Sequence, residues 1–260
     1  MEERQTNSDP EMRSRFQGLR NVITFNWPYY ALGAAILFIF IITNKIFGIP
    51  GNLATVFAVG VVLALVVISL MVTFYVYDLS GLYELQWLNV ATPKNACRIV
   101  NVTAGFDETS VLLAERFGNC ELAVFDFFDP ARHTEPSIRR ARNAYPPFPG
   151  TQITSTGNLP FENGSAQLLV AFLAAHEIRD RNERASFFKE LGRVVSPNGK
   201  VVVVEHLRDT ANFLAYNIGA FHFHSRAEWL GTFHGAGLNI EYESKVTPFI
   251  SVFFLTKIGT

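Results

Sequence analysis

Three short stretches pair imidazole with carboxylate or with a second imidazole: His176-Glu177, Glu205-His206 and His222-Phe223-His224. An imidazole is the side chain best suited to move a proton near neutral pH. The same groups suit divalent metals, and Glu205, His206, His222 and His224 are the set that could supply ligands. If residues 222–224 are extended, His222 and His224 point to one face. No His-Glu-x-x-His spacing occurs, and the expectation is a site without a metal. A second kind of chemistry gathers around Val100-Asn-Val-Thr-Ala-Gly-Phe-Asp-Glu-Thr109, a buried strand turning into a helix. Gly105 lets a backbone approach a ligand closely, and a helix beginning near Glu108 offers free N–H groups. Asp126 ends the next apolar run, where a carboxylate can accept hydrogen bonds from two ribose hydroxyls.

These residues need a scaffold that brings strand ends together. Apolar runs at Ile99–Val102, Leu122–Phe125, Leu168–Phe172 and Val201–Val204 alternate with helix-like stretches at Glu108–Phe117, Pro136–Ala144 and Asn182–Val194. Strands that are apolar on both faces and alternate with helices predict a parallel sheet covered on both sides. Ser225 and Glu228 form a capping-box pattern for a further helix ended by Gly235-Ala-Gly237. Ile240–Ser244 and Phe249–Thr256 then read as an antiparallel pair at the sheet edge. Ligands of such α/β sheets bind outside the carboxyl ends of the strands, which is where Gly105, Asp126, His176, Glu177, Glu205 and His206 fall.

The N-terminal part is different. Leu53 to Val76 carries no charged residue, enough to cross a bilayer core, which takes roughly 20 residues. A second apolar stretch, Tyr29 to about Ile42, reaches Ile49 if Lys45 snorkels. Pro50-Gly51-Asn52 is the turn between them. The predicted organisation is an N-terminal segment (1–26), a transmembrane hairpin (27–77), an amphipathic juxtamembrane segment and linker (78–96) and an α/β domain (97–260). Trp27, Tyr29, Tyr30, Tyr75 and Tyr77 stand at interface depth. Arg4, Arg13, Arg15 and Arg20 before the hairpin, with Lys94 and Arg98 after it, predict a multi-pass protein of the cell (inner) membrane with its domain in the cytoplasm. A net charge of −1 gives no footprint for nucleic acid. Cys97 and Cys120 lack metal-like spacing and are read as free thiols of a reducing compartment.

Beyond these local readings, an ordered set of motifs stands at family spacing. Leu159-Pro160-Phe161, then Arg193-Val-Val-Ser-Pro-Asn-Gly199, then Ala236-Gly237-Leu238 resemble the class I S-adenosylmethionine-dependent methyltransferases, in particular the ubiquinone and menaquinone C-methyltransferase branch. The likeness runs from about Arg98 to Lys257. It implies a Rossmann-like sheet, mostly parallel with an antiparallel edge strand, and S-adenosyl-L-methionine as cofactor. By that resemblance Asn101 stands for the first-loop acid, and Thr103, Gly105 and Asp107 for its three glycines. Asp126 is the ribose acid, Ser155 takes the adenine-contacting position and Gln167 replaces the Asp that opens the fourth strand. Asp107 is left to accept from the cofactor's ammonium.

Together these features predict a membrane-anchored methyltransferase acting on a lipophilic small molecule or lipid. His176 or His206 would be the base, and Tyr216, His222 and His224 would lie in a substrate cover over Leu207–His224. The alternative is a non-catalytic methyltransferase-like scaffold or partner subunit. Homo-oligomer and biosynthetic complex are both left open.

Overall fold

The computed structural model describes residues 13–46, 53–93 and 97–259. The Pro50-Gly51-Asn52 turn, the first span beyond Ile46, Arg4, Lys94 and the linker residue Asn95 lie outside them. Seven strands form one sheet in the order β3-β2-β1-β4-β5-β7-β6. They are β1 (Arg98–Thr103), β2 (Glu121–Asp126), β3 (Gln152–Ile153), β4 (Ala166–Phe172), β5 (Val195–His206), β6 (Leu238–Thr247) and β7 (Ile250–Lys257). The first five are parallel. The strand β7 runs antiparallel between β5 and β6, so the expected edge pair forms with β6 outermost. Strand order reverses between β1 and β4, and the crevice above that point is where such a sheet holds ligands.

Helices α3 (Ser110–Arg116), α4 (Pro136–Ala144), α5 (Arg181–Val194), α6 (Thr210–Tyr216) and α7 (Arg226–Gly235) follow the predicted alternation. The capping box of Ser225 and Glu228 starts α7, and Asp180 accepts from the Glu183 amide to start α5. One sheet face, with Val100, Leu169, Val201 and Val203, packs on Phe187 and Phe188 of α5 and Trp229 of α7. The other, with Ile99, Leu168, Val170 and Val202, packs on Leu82, Leu85 and Leu88.

Those three leucines correct the expected amphipathic helix. Residues 82–91 form two short 3-10 turns, Leu82–Glu84 and Gln86–Ala91, joined at Leu85 with φ 55°. The left-handed break at Leu85 brings the three leucines into one cluster, a short ridge. That ridge is buried under the sheet and does not lie along lipid.

Helices α1 (Gln17–Ile46) and α2 (Leu53–Phe74) are long and apolar enough to cross a membrane by length and composition. The first starts ten residues before the expected boundary. Its opening turns bury Gly18, Asn21 and Phe25, one face at helical spacing, against the α/β domain. Gly18 must be glycine for this approach, because a β-carbon there would stand 2.3 Å from Cβ of Tyr77. Beyond Pro28, which lies inside α1, the helix projects outward, with Phe38 66% exposed and Phe57 of α2 71% exposed.

The cysteines also depart from expectation. Cys97 and Cys120 form a disulfide with Cα atoms 4.7 Å apart. The register explains it: Arg98 pairs with Glu121 in the parallel β1–β2 ladder, so the residues before them start side by side. Closing the loop between the two cysteines is worth about 3 kcal/mol by chain entropy. Alkylation of the unfolded, unreduced protein is expected to label neither cysteine, and reduction is expected to lower the thermal midpoint. Two labelled thiols per chain before reduction would refute the pairing.

Candidate functional site

The strand β1 ends at Thr103 and the chain turns through Gly105, at φ +85°, into α3. Asp107 Oδ1 accepts from the amides of Thr109 and Ser110, both at 2.9 Å. The N–H groups expected to be free at this helix start are therefore taken by the loop's own acid. Asn101 is fully buried and its amide donates to Ser110 Oγ at 2.8 Å and Thr109 Oγ1 at 3.1 Å. This leaves Asn101 Oδ1 and Asp107 Oδ2 as buried acceptors without a protein partner among the described residues. Thr103 Oγ1 accepts from the Gly105 amide at 3.2 Å, so its hydroxyl braces the turn.

Asp126 ends β2 beside this loop, as expected, and accepts from the Phe128 amide at 2.9 Å. Its other oxygen is ion-paired with Arg142 of α4. That guanidinium also donates to Ala104 O at 3.3 Å and lies 4.5 Å from the Phe128 ring centroid. A β-carbon on Gly105 would fall on it. Gly105 thus makes room for an arginine that sequence reasoning missed, since nothing local marks Arg142 among the arginines of α4. Ser155 is exposed in a turn bridged to Asn158, one residue beyond Thr154, whose amide donates to Asp126 O at 2.9 Å.

A cavity of about 190 Å³ opens between the strand ends. Phe106 and Glu108 of the β1 loop, Ala141 of α4, and His176, Glu177 and His206 line it. Its remaining wall is the start of α1, through Gly18, Asn21 and Phe25. Glu108, which the motif reading passed over, ties that wall down. Its Oε1 accepts from Arg13 at 2.5 Å, Gln17 at 2.9 Å and Asn21 at 3.3 Å, and its Oε2 from the Tyr83 hydroxyl at 2.8 Å. Burial, followed by the charge of Glu108, pushes the Tyr83 phenol well above its usual range.

Two histidines reach the cavity in opposite states. His176 Nδ1 is 2.7 Å from Oε2 of the fully buried Glu205, whose Oε1 accepts from the His176 amide at 3.1 Å. Burial works against a charged imidazole here, but Glu205 and Glu177 outweigh it and push His176 up to about 10. His206 has no such partner. Its Nδ1 lies 2.9 Å from Asn212 Oδ1 and its Nε2 2.8 Å from the Tyr77 hydroxyl. Asn212 Nδ2 is used as a donor to Phe249 O and Asp209, which assigns the His206 proton to Nδ1 and makes Tyr77 donate to Nε2. Burial, with the nearby His176 charge, lowers His206 to about 4.

The expected substrate residues separate. His222 ends a 3-10 turn, Asn217–His222, with Nε2 3.7 Å from Glu177 and Arg179 against its ring. His224 instead accepts from Arg184 at 3.0 Å, packs 5.3 Å from Trp229, and is lowered to about 3 by burial and then by Arg184. The two rings do not share a face, because the turn at 217–222 replaces the extended chain that alternation required. Tyr216 ends α6 with its ring 5.4 Å from His206, behind the cavity wall. The metal set read from sequence is therefore not assembled; the structure groups His176, Glu177 and His222 instead.

Residues 100–203 match a family model described as a methyltransferase domain. A SAM-dependent methyltransferase from Aquifex aeolicus is similar at 13% identity and TM-score 0.50, over 68% of this chain and 93% of that one. A geranyl diphosphate C-methyltransferase from Streptomyces coelicolor, in complex with Mg2+, geranyl diphosphate and S-adenosyl-L-homocysteine, gives 13% and 0.51 over 71% and 83%. A putative methyltransferase in complex with the Haloferax volcanii Trm112 activator gives 13% and 0.50 over 70% and 91%. At such identities the likeness is one of fold. No curated protein sequence matches significantly.

In the α/β domain, His206 links folding to pH. The unfolded chain takes up that proton near 6.5 and the folded one only near 4. Acid therefore favours unfolding across that window, by at most about 3 kcal/mol. The thermal midpoint is expected to fall from pH 6.5 to 4, and His206→Gln to flatten that part of the profile. Parallel profiles for wild type and variant would show that His206 is not buried neutral.

Proposed function

We propose that this protein is a membrane-anchored, S-adenosylmethionine-dependent methyltransferase acting on a lipophilic small molecule or lipid. The observation that carries the reading is the cavity itself, bounded by the β1, β4 and β5 ends on one side and by the start of an apolar helix on the other. Apolar surface supports the anchoring. The lengths of α1 and α2 beyond Pro28 are exposed, as are Leu214, Ile218 and Phe221 in the α6 region, which packs beside α2. A soluble protein rarely leaves a contiguous patch of this kind open to water.

The chain's own residues fit the cofactor. Asp126 would hold the ribose hydroxyls once Arg142 withdraws. The orphaned Asn101 Oδ1 and Asp107 Oδ2 are acceptors for an ammonium group. Bound there, the cofactor supplies a sulfonium methyl group open to in-line attack. The protein's part is to hold the acceptor in line and keep water out. Arg142 occupies Asp126 and the space beside Gly105, so it must swing away to admit the cofactor there. His176 and His206 face the acceptor's side, Tyr216 backs His206 from behind the wall, and His222 belongs to the cover beside Glu177.

A second reading, a non-catalytic methyltransferase-like subunit, has one observation in its favour, the Arg142 guanidinium on Asp126. Calorimetry of the full-length protein with S-adenosylhomocysteine separates the two. Enzyme function requires binding that weakens at least about tenfold in Asp126→Ala, the loss of roughly one charge-assisted hydrogen bond, and tightens in Arg142→Ala. Absence of binding at millimolar ligand, in wild type and in Arg142→Ala alike, would leave only the second reading.

Arg13, Arg15 and Arg20 stand at one end of the hairpin and Lys45 alone near the other, which favours a cytoplasmic domain. The Cys97–Cys120 bond pulls the other way, being of a kind rare in reducing compartments. Protease added to inverted vesicles is expected to digest the domain, and protease added to right-side-out vesicles to spare it. The reverse pattern would place the domain on the oxidising side.

A further inference from the structure

The pairing of His176 with Glu205 leaves the other ring nitrogen, Nε2, facing Glu177 and the cavity. His176 Nε2 lies 3.5 Å from Glu177 Oε1, and His222 Nε2 lies 3.7 Å from the same oxygen. One donor atom from each of the three residues falls within 4.8 Å of the others. Nitrogen and oxygen ligands about 2.1 Å from one tetrahedral ion stand about 3.4 Å apart, so these spacings are those of a nearly formed coordination shell.

The surroundings carry the charge such an ion needs. Glu177 and Glu205 are both buried, and Glu135 Oε2 lies 3.6 Å from His222 Nδ1. Buried carboxylates must be met by positive charge. A carboxylate on the far nitrogen of a ligating imidazole is also the usual outer support of a metal site, fixing the ring and its tautomer.

We propose that His176, Glu177 and His222 bind a divalent first-row transition ion, zinc by its spacing, with Glu205 orienting His176 from behind. Three protein ligands leave a fourth position, which faces the cavity and takes water or an oxygen of the acceptor. Arg179 now lies against both nitrogens of His222, with Nη2 3.1 Å from Nε2. Arg179 is an exposed residue and can withdraw into solvent as the ion enters. The site stands on its own geometry, whether or not the domain transfers methyl groups.

The test uses full-length protein carrying a tag without histidines, loaded with zinc and dialysed against metal-free buffer. About one zinc per chain is expected by mass spectrometry, and cobalt(II) in its place is expected to give the intense visible bands of tetrahedral coordination. His222→Ala, at a half-exposed position the fold tolerates, should retain no zinc. Glu205→Gln should bind about 10–100-fold more weakly, while Arg179→Ala should bind at least as tightly as wild type. A wild-type protein that retains no zinc or cobalt, or a His222→Ala variant that retains as much as wild type, would overturn the proposal.

Discussion

Two backbone hydrogen bonds decide how the molecule is joined. The amides of Gly18 and Leu19, at the open start of α1, donate to the two oxygens of Asp78 at 2.8 and 2.9 Å. Asp78 follows directly on the second apolar helix, so the same acid caps the first helix and marks where the second gives way to the domain. Capping of this kind contributes about 1 kcal/mol, and a carboxylate at the positive end of a helix dipole adds to it. The geometry it enforces matters more. With its start clamped to residue 78, α1 must cross the strand ends, and Asn21 and Phe25 become a wall of the cavity.

The same crossing explains the polar network of the loop. Glu108 collects Arg13, Gln17 and Asn21 from the N-terminal stretch and Tyr83 from the segment after the second apolar helix. On the far side, Tyr145 donates to Asn21 Oδ1 at 2.7 Å, and the Phe25 ring stands edge-on to Phe106 at 5.2 Å. The loop after β1, α4 and the start of α1 thus share one set of contacts. Tyr77 extends it to His206, so the group at the end of β5 is set by a residue from outside the α/β domain.

Most of the sheet was legible in the sequence because the central parallel strands are buried on both faces, leaving unbroken apolar runs such as Val201–Val204, whereas the exposed edge strand β3 left no such run. The start of α7 was legible because capping is local: Ser225 and Glu228 touch each other. Features that depend on register or on distant chain were not. Cys97 and Cys120 become neighbours only when β1 and β2 align, a pairing that the residues before the two apolar runs could have suggested. Arg142 meets Asp126 only when α4 lies along the loop. The leucines at 82, 85 and 88 carry a period of three, which a search for helical amphipathicity absorbs without distinguishing it. His222 and His224 were paired by alternation, and a turn at residues 217–222 broke it.

Pro28 gives the longest helix a mechanical character. Lacking an N–H, it cannot bond the Thr24 carbonyl, and its ring crowds that turn. The gap in the ladder lies just past Phe25, the last of the residues that α1 buries against the domain. Mechanically α1 is two rods in series with a compliant joint between them. A bilayer that tilts the outer rod to match its own thickness bends the joint first. The inner rod, clamped by Asp78 and Glu108, keeps its place over the cavity, so the chamber is insulated from strain carried by the outer rod.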